Sequence, residues 1–103
     1  MLSNVVAAVP GGSIVISATA SSVGGTVDCT GCDAIYVTNT SATLYVTAKW
    51  GVGAQTATLG GDGVTIPPMS QVLVEVPRNT ITHLAAIGSG AGPTAVVFTP
   101  ARV

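Results

Sequence analysis

The sequence predicts an all-β protein: one antiparallel β-sandwich domain, similar to a jelly roll, with about eight short strands. β-Branched residues are abundant, with 16 Val and 14 Thr among 103 residues, and such side chains suit a pleated sheet. Gly and Pro interrupt the chain about every ten residues, a spacing typical of sandwiches and barrels. No stretch keeps the apolar spacing of a helix over a dozen residues, so no helix is expected.

Alternation of apolar and polar residues places the individual strands. Residues 1–12 are expected to form an N-terminal arm that ends at Pro10-Gly11-Gly12, and residues 13–103 the sandwich domain. In chain order, strands are predicted at 13–20, 26–29, 33–39, 43–50, 55–59, 71–76, 80–87 and 94–99, with an extended segment at 66–68 and a tail at 100–103.

The runs 33–39 and 43–50 are the clearest pair of strands. Ile35 and Val37 share one face of the first run, and Tyr36 lies on the other. The short polar connection Asn39-Thr40-Ser41 is typical of a turn, so the two runs are predicted to form a hairpin. The same three residues match the acceptor pattern for N-glycosylation, which matters only in an exported chain.

Charge is scarce, and this excludes several functions. Three basic and four acidic residues give a net charge of −1, whereas nucleic-acid binding needs clustered Lys and Arg. No apolar run approaches the roughly 18 residues of a transmembrane helix. The first 12 residues lack the basic residues of a secretory signal. We therefore expect no nucleic-acid or membrane partner and synthesis in a cytoplasm.

The low charge also favours association. A net charge near zero removes the repulsion between copies, and Lys, a common guard of exposed sheet edges, occurs once in the chain. We expect a homodimer or homotrimer that buries an edge or a face. The alternative is a stable monomer with a surface rich in Thr and Ser.

Cys29-Thr30-Gly31-Cys32 is the sharpest local pattern. A zinc site needs about four ligands, and the chain has no second Cys pair to complete one with His83 or a carboxylate. A redox pair would begin a helix, whereas this one precedes a strand. The prediction is a turn whose thiols are free, as a reducing cytoplasm favours, or joined in a local disulfide.

No catalytic constellation stands out. His83 is the only histidine, and Gly88-Ser89-Gly90 lacks the flanks of a nucleophile elbow. The glycine-rich segments 60–63 and 88–92 precede no predicted helix, as a phosphate-binding loop would. We expect no enzymatic activity, no metal and no other cofactor. The remaining enzyme hypothesis would use Cys29, Cys32 and His83.

Five segments carry a resemblance: "VTNT" at 37–40, Lys-Trp-Gly at 49–51, "IPPMSQVLVEVP" at 66–77, "THLAAIGSGAG" at 82–92 and "FTP" at 98–100. Together they make residues 33–99 resemble small tailed-phage virion proteins of the capsid decoration, or cement, type. The Cys pair is not part of that pattern. Ser70 stands where these chains often have a residue suited to a tight turn.

The resemblance implies a structural virion protein on the capsid surface, made in the host cytoplasm, that bridges subunits of the major capsid protein and stabilises an icosahedral shell. The arm and the terminal strand are the expected contact segments, through Leu2, Val5, Val6, Val9, Phe98 and Val103. Two alternatives stay open. One is a tail or neck component, and the other is a small glycan-binding or adhesion module that would use Tyr36 or Tyr45.

Overall fold

The structure is a computed structural model that describes residues 7–8, 13–29, 31–77, 80–90 and 93–102. Within these ranges the chain forms strands and loops but no helix, and therefore no helix that could span a membrane. The strands, numbered in chain order, are β1 Ala7–Ala8, β2 Ile14–Ala18, β3 Val23–Thr26, β4 Ala34–Asn39, β5 Val46–Gly51, β6 Val64–Ile66, β7 Ser70–Glu75, β8 His83–Gly88 and β9 Thr94–Arg102.

The strands form two antiparallel sheets, which confirms the predicted all-β sandwich. Sheet A has the order β1-β9-β4-β7, with β2 also paired to β9, and sheet B has the order β3-β8-β5-β6. From β2 to β5 the chain changes sheet at every connection, and it does so again from β6 to β9. The pairs are nested: β2 with β9, β3 with β8, β4 with β7 and β5 with β6.

The core lies between the two sheets. Ile35 and Val37 on β4 are fully buried, as the alternation predicted, while Tyr36 between them is half-buried on the opposite face. Apolar burial of this kind contributes roughly 25 cal/mol per Å², and it fixes the register because a slip by one residue would reverse every face. The largest fully buried apolar side chains are Phe98, Ile35, Ile66, Leu84, Val37, Val46 and Val96.

The predicted hairpin of 33–39 with 43–50 is wrong. β4 belongs to sheet A and β5 to sheet B, so residues 40–45 cross from one sheet to the other. The buried Asn39 side chain fixes this crossing: its Nδ2 donates to the carbonyls of Leu44 at 2.8 Å and of Ile66 and Pro67 at 3.1 Å. Its Oδ1 accepts from the Ser41 N–H at 3.0 Å. Alternation and turn residues predicted two strands and a turn correctly, but they do not specify the sheet.

The predicted strand at 55–59 is absent from the described sheets, and residues 52–63 instead form a loop across the outer face of sheet B. The loop is held by backbone N–H groups that donate to the hydroxyls of Thr47 on β5 and of Ser22, just before β3. Ala57 donates to Ser22 Oγ at 2.8 Å, and Gly60 donates to Thr47 Oγ1 at 3.0 Å. These bonds hold the loop without a strand ladder, and Thr47 is fully buried beneath it.

Several strand boundaries also differ from prediction. β5 and β8 each begin three residues later than expected, and β6 ends where the extended segment 66–68 was expected to begin. β3 spans Val23–Thr26 rather than 26–29, so Gly24 and Gly25 lie within a strand. The backbone of the covering loop comes close to this strand, because a Cβ at Gly24 would lie 3.6 Å from the Gln55 carbonyl. β9 continues through the predicted tail to Arg102. Pro100 falls between the stretch paired with β2 and the stretch paired with β1, so its missing N–H interrupts neither ladder.

Candidate interaction face

At one end of sheet A the outward side chains of Ala34 and Ala101 are fully buried. The rest of its outer face is exposed or half-buried, and we call this part the A face. It consists of the outward side chains of four neighbouring strands. They are Val15 and Ser17 on β2, Ala95, Val97 and Thr99 on β9, Tyr36 and Thr38 on β4, and Gln71, Leu73 and Glu75 on β7.

The register assembles these side chains into rows across the sheet. Val15 lies opposite Val97, which lies opposite Thr38. Tyr36, in the next row, lies between Thr99 and Leu73. Neighbouring strands lie about 4.8 Å apart, so the four strands present a surface roughly 15 Å across. This makes the A face broad and continuous rather than a set of isolated apolar residues.

The A face combines exposed apolar side chains with little charge. Val15 is 62% exposed and Leu73 is 40% exposed. Glu75 is the single charged side chain among the residues that define the A face, and the others are apolar or carry hydroxyl or amide groups. A contiguous exposed apolar patch with a polar rim is typical of an interaction site. Such a face can be desolvated without burying several unpaired charges.

The outer face of sheet B is covered by the loop 52–63, which itself exposes Val52 and Leu59. Ala57 of the loop is buried, and Ala85 on β8 is fully buried although its alternation points it outward. Gly53 N donates to Thr82 Oγ1 at 3.0 Å and anchors the start of the loop. The loop therefore covers the outer face of sheet B, whereas the residues of the A face remain exposed or half-buried.

Phe98 corrects the predicted set of partner contacts. It lies on β9 opposite Val37 and Ile14 and is 0% exposed. Its place in the strand alternation points it inward, so it is a core residue and cannot contact a partner in the folded chain. The other predicted contact residues, Leu2, Val5, Val6, Val9 and Val103, lie outside the described residues.

The two tyrosines proposed for glycan contact lie apart. Tyr36 is half-buried on the A face. Tyr45 is exposed just before β5 in sheet B, where its N–H donates to Ser89 Oγ at 3.1 Å and its carbonyl accepts from the Ser89 N–H at 3.0 Å. Because β4 and β5 belong to different sheets, the tyrosines do not pack across a hairpin and do not form one stacking platform.

Cys29 and Cys32 are joined in a disulfide, so the local bridge, rather than the free thiols that a reducing cytoplasm favours, is what the structure contains. Their Cα atoms lie 4.8 Å apart, within the usual range for a disulfide. The Cys32 N–H donates to the Cys29 carbonyl at 2.9 Å and closes the predicted turn. Both side chains are buried, so the bridge joins the turn to the core.

His83 and the two cysteines form no metal-binding group in the described part of the chain. Its Nδ1 lies 2.8 Å from Thr82 Oγ1, a contact between neighbours in sequence. Across the described residues, no three His, Cys, Asp or Glu side chains come together as metal ligands would, and no pocket is found.

Among the residues of the A face, only Tyr36 was named as a site residue from the sequence, as a glycan contact in one alternative. The signal that could have found the others is the alternation of buried and exposed positions, in which Val15 and Leu73 lie on the face opposite Ile16 and Val72. A large apolar residue at an outward strand position, repeated on neighbouring strands, indicates an interaction face. The strand order that makes β2, β9, β4 and β7 neighbours could not be predicted from the sequence.

Comparison with known proteins assigns no family. No protein-family model matches the chain, and no curated protein matches its sequence. Among solved structures, the crystal structure of PirA matches with a TM-score of 0.47 and 13% sequence identity, over 87% of this chain and 93% of that chain. A likeness this low assigns neither a family nor a function.

Proposed function

We propose that this chain is a structural virion protein of the capsid decoration type, which binds the outside of an icosahedral phage shell and bridges subunits of the major capsid protein. The observation that carries the proposal is the accessible, nearly uncharged A face. The sequence resemblance of residues 33–99 to small phage virion proteins points to the same role. The protein would be made in the host cytoplasm and would end on the capsid surface.

We also infer that the sandwich is a jelly roll. In that fold an antiparallel ribbon of paired strands is rolled into two sheets, a design found in viral capsid and lectin domains. The nested pairing of β2 with β9, β3 with β8, β4 with β7 and β5 with β6 supports it, since such nesting is what a rolled ribbon produces. The β5–β6 connection would be the tip of that ribbon.

The chemistry of the A face suits a protein shell better than a charged polymer. Val15, Val97 and Leu73 supply apolar area, and the hydroxyls and amides around them can hydrogen-bond to backbone groups of a partner. The bound state needs few charge partners, so binding would depend weakly on salt. Many copies on one shell act together, and each contact can therefore be modest.

The test is cosedimentation with empty shells assembled from the major capsid protein encoded in the same genome. Val15→Asp places a charge on the A face and is expected to weaken binding at least tenfold. Val52→Asp is the matched control, because Val52 is 73% exposed but lies on the loop over sheet B; it should bind like the unmodified chain. Equal binding by both variants, or no binding by the unmodified chain, would contradict the proposal.

Substitution of the two tyrosines distinguishes the glycan-binding alternative from shell binding. If the A face binds a sugar, Tyr36→Ala should abolish retention on a glycan array, and Tyr45→Ala, in the other sheet, should leave retention unchanged. If the chain binds a shell, the unmodified protein should show no glycan retention, and Tyr36→Ala should weaken cosedimentation only.

A further inference from the structure

We propose that the open edge of β7 is a homodimerisation site, at which β7 of a second copy pairs in antiparallel register about a two-fold axis at Leu73. Sheet A would then continue across both copies. This inference goes beyond the proposed function and does not depend on it, because a glycan-binding or tail protein could dimerise in the same way.

Strand β7 is an edge strand in the described structure. It pairs with β4 over its full length of six residues, and no described strand pairs with its other side. An exposed edge presents unpaired N–H and C=O groups, which is a template for pairing with another chain. Folded proteins commonly protect such an edge with Lys or an interior Pro, and Ser70–Glu75 contains neither.

The hydrogen-bond alternation shows which groups of β7 face outward. In an antiparallel pair, residues that exchange hydrogen bonds with the neighbour alternate with residues whose N–H and C=O point the other way. The Val76 N–H donates to the Asp33 carbonyl at 3.0 Å, one residue beyond the opposed pair of Glu75 and Ala34. Glu75 is therefore of the second kind, as is every second residue before it on the strand.

Gln71, Leu73 and Glu75 thus direct their backbone groups toward the open edge, and their side chains lie exposed on the A face. One register uses all three. With Leu73 opposite Leu73 of the second copy, Gln71 lies opposite Glu75 and Glu75 opposite Gln71. The three opposed pairs of residues each form two backbone hydrogen bonds, which gives about six across the interface.

Side-chain chemistry selects the same register. The Gln71 amide can donate to the Glu75 carboxylate of the second copy on both sides of the axis. On the core side, Val72 lies opposite Val74 of the second copy, and both valines are half-buried in the single chain. A shift that centres the axis on Glu75 would oppose two carboxylates and lose two of the three exchanging pairs, so it is disfavoured.

The ends of the strand limit the ladder to these residues. Pro77 has no N–H to donate. At the other end, Met69 has φ of 53°, outside the strand region, and its N–H donates to the Ser41 carbonyl at 2.8 Å. The edge is therefore short and terminated at both ends, which suits a closed dimer rather than an open fibre.

The other described edges are poorer templates. On β2 the same alternation leaves two residues, Val15 and Ser17, with outward backbone groups. β6 has three residues. β3 contains Gly24 and Gly25 and lies against the covering loop. Among the described edges, β7 offers the longest ladder.

The first test measures dimerisation by sedimentation velocity over a hundredfold dilution. Gln71→Glu opposes two carboxylates on each side of the axis and should weaken the dimer about tenfold. The double variant Gln71→Glu/Glu75→Gln restores an amide opposite each carboxylate and should return the affinity to within about threefold. Ser17→Glu on β2, a matched addition of charge to the same sheet, should have no effect.

The second test locates the axis by oxidative crosslinking. Leu73→Cys places two thiols opposite each other at the two-fold axis and should give a covalent dimer within minutes of adding a mild oxidant. Val15→Cys is more exposed but lies on another strand, and it should crosslink much more slowly. A chain that stays monomeric up to about 1 mM, equal crosslinking of both variants, or a double variant no tighter than Gln71→Glu would overturn the proposal.

Discussion

The buried Asn39 amide stabilises the connection 40–45, which crosses from sheet A to sheet B. The substitution Asn39→Asp tests that role with almost no change of side-chain volume. The side chain is 1% exposed. Its amide donates to three backbone carbonyls that belong to the 40–45 connection and to the β6–β7 turn. The substitution keeps the oxygen that accepts from Ser41 and replaces the two donor hydrogens with a second acceptor.

The expected cost follows from those contacts. A buried polar group that loses its partner costs about 1–3 kcal/mol. Two donor hydrogens are lost, one of them serving the buried bond to Ile66, and the new carboxyl oxygen faces carbonyl oxygens at about 3 Å. The hydrogen bonds to Leu44 and Pro67 are only partly buried, so the cost of losing them is expected at the low end of that range. We therefore expect a loss of about 3–4 kcal/mol in the free energy of unfolding at pH 7, out of about 5–15 kcal/mol for a domain of this size.

The assay is urea unfolding of the variant and the unmodified chain at pH 7 and pH 4. Burial among carbonyls disfavours the charged form of the new carboxyl group, so its pKa is raised in the folded state. The added cost therefore grows as the pH rises above about 4, the ordinary value for Asp, and it is smaller at pH 4. Thr38→Val, on the adjacent outward position, should change stability by less than about 0.5 kcal/mol. A loss below about 1 kcal/mol at pH 7 for Asn39→Asp would refute the reasoning.

Three further predictions concern stability and are each checked by urea unfolding. Phe98→Ala should cost about 3–5 kcal/mol because it empties the centre of the core; a loss below about 1 kcal/mol would return Phe98 to the candidate partner contacts. Gly63→Ala should cost at least about 1 kcal/mol more than Gly60→Ala. Both glycines have positive φ, but a Cβ at Gly63 would meet a backbone carbonyl of β5, whereas a Cβ at Gly60 meets nothing within 4 Å; equal costs would contradict this. Cys29→Ser/Cys32→Ser should cost about 2 kcal/mol, the loop-closure value for so short a loop, and should still fold; loss of folding would show that the bridge is essential.

Local patterns in the sequence were sufficient to predict much of the sheet structure. The alternation of Ile35 and Val37 with Tyr36, and of Val72 and Val74 with Leu73, matches the inward and outward faces of β4 and β7. These features depend on a period of two residues, which is a property of each strand alone. The all-β class was predicted from the same local patterns.

The predictions of strand pairing and of the strand at 55–59 failed because they depended on long-range contacts. Nothing near Asn39 in the sequence indicates that its amide reaches Ile66, 27 residues away, and this contact is what turns an expected hairpin into a crossing between sheets. β3 was expected at 26–29 and not at 23–26, and the loop that lies over Gly24, at Gln55, is distant in sequence. The A face remained unrecognised for the same reason, since it requires the strand order of sheet A.

The most direct test of the proposed function is a cryo-EM reconstruction of empty shells saturated with the purified chain. The account predicts density for the sandwich at defined positions on the shell, with the A face toward the capsid subunits and the loop 52–63 toward solvent. Density with that loop against the shell, or undecorated shells at saturating protein, would contradict it.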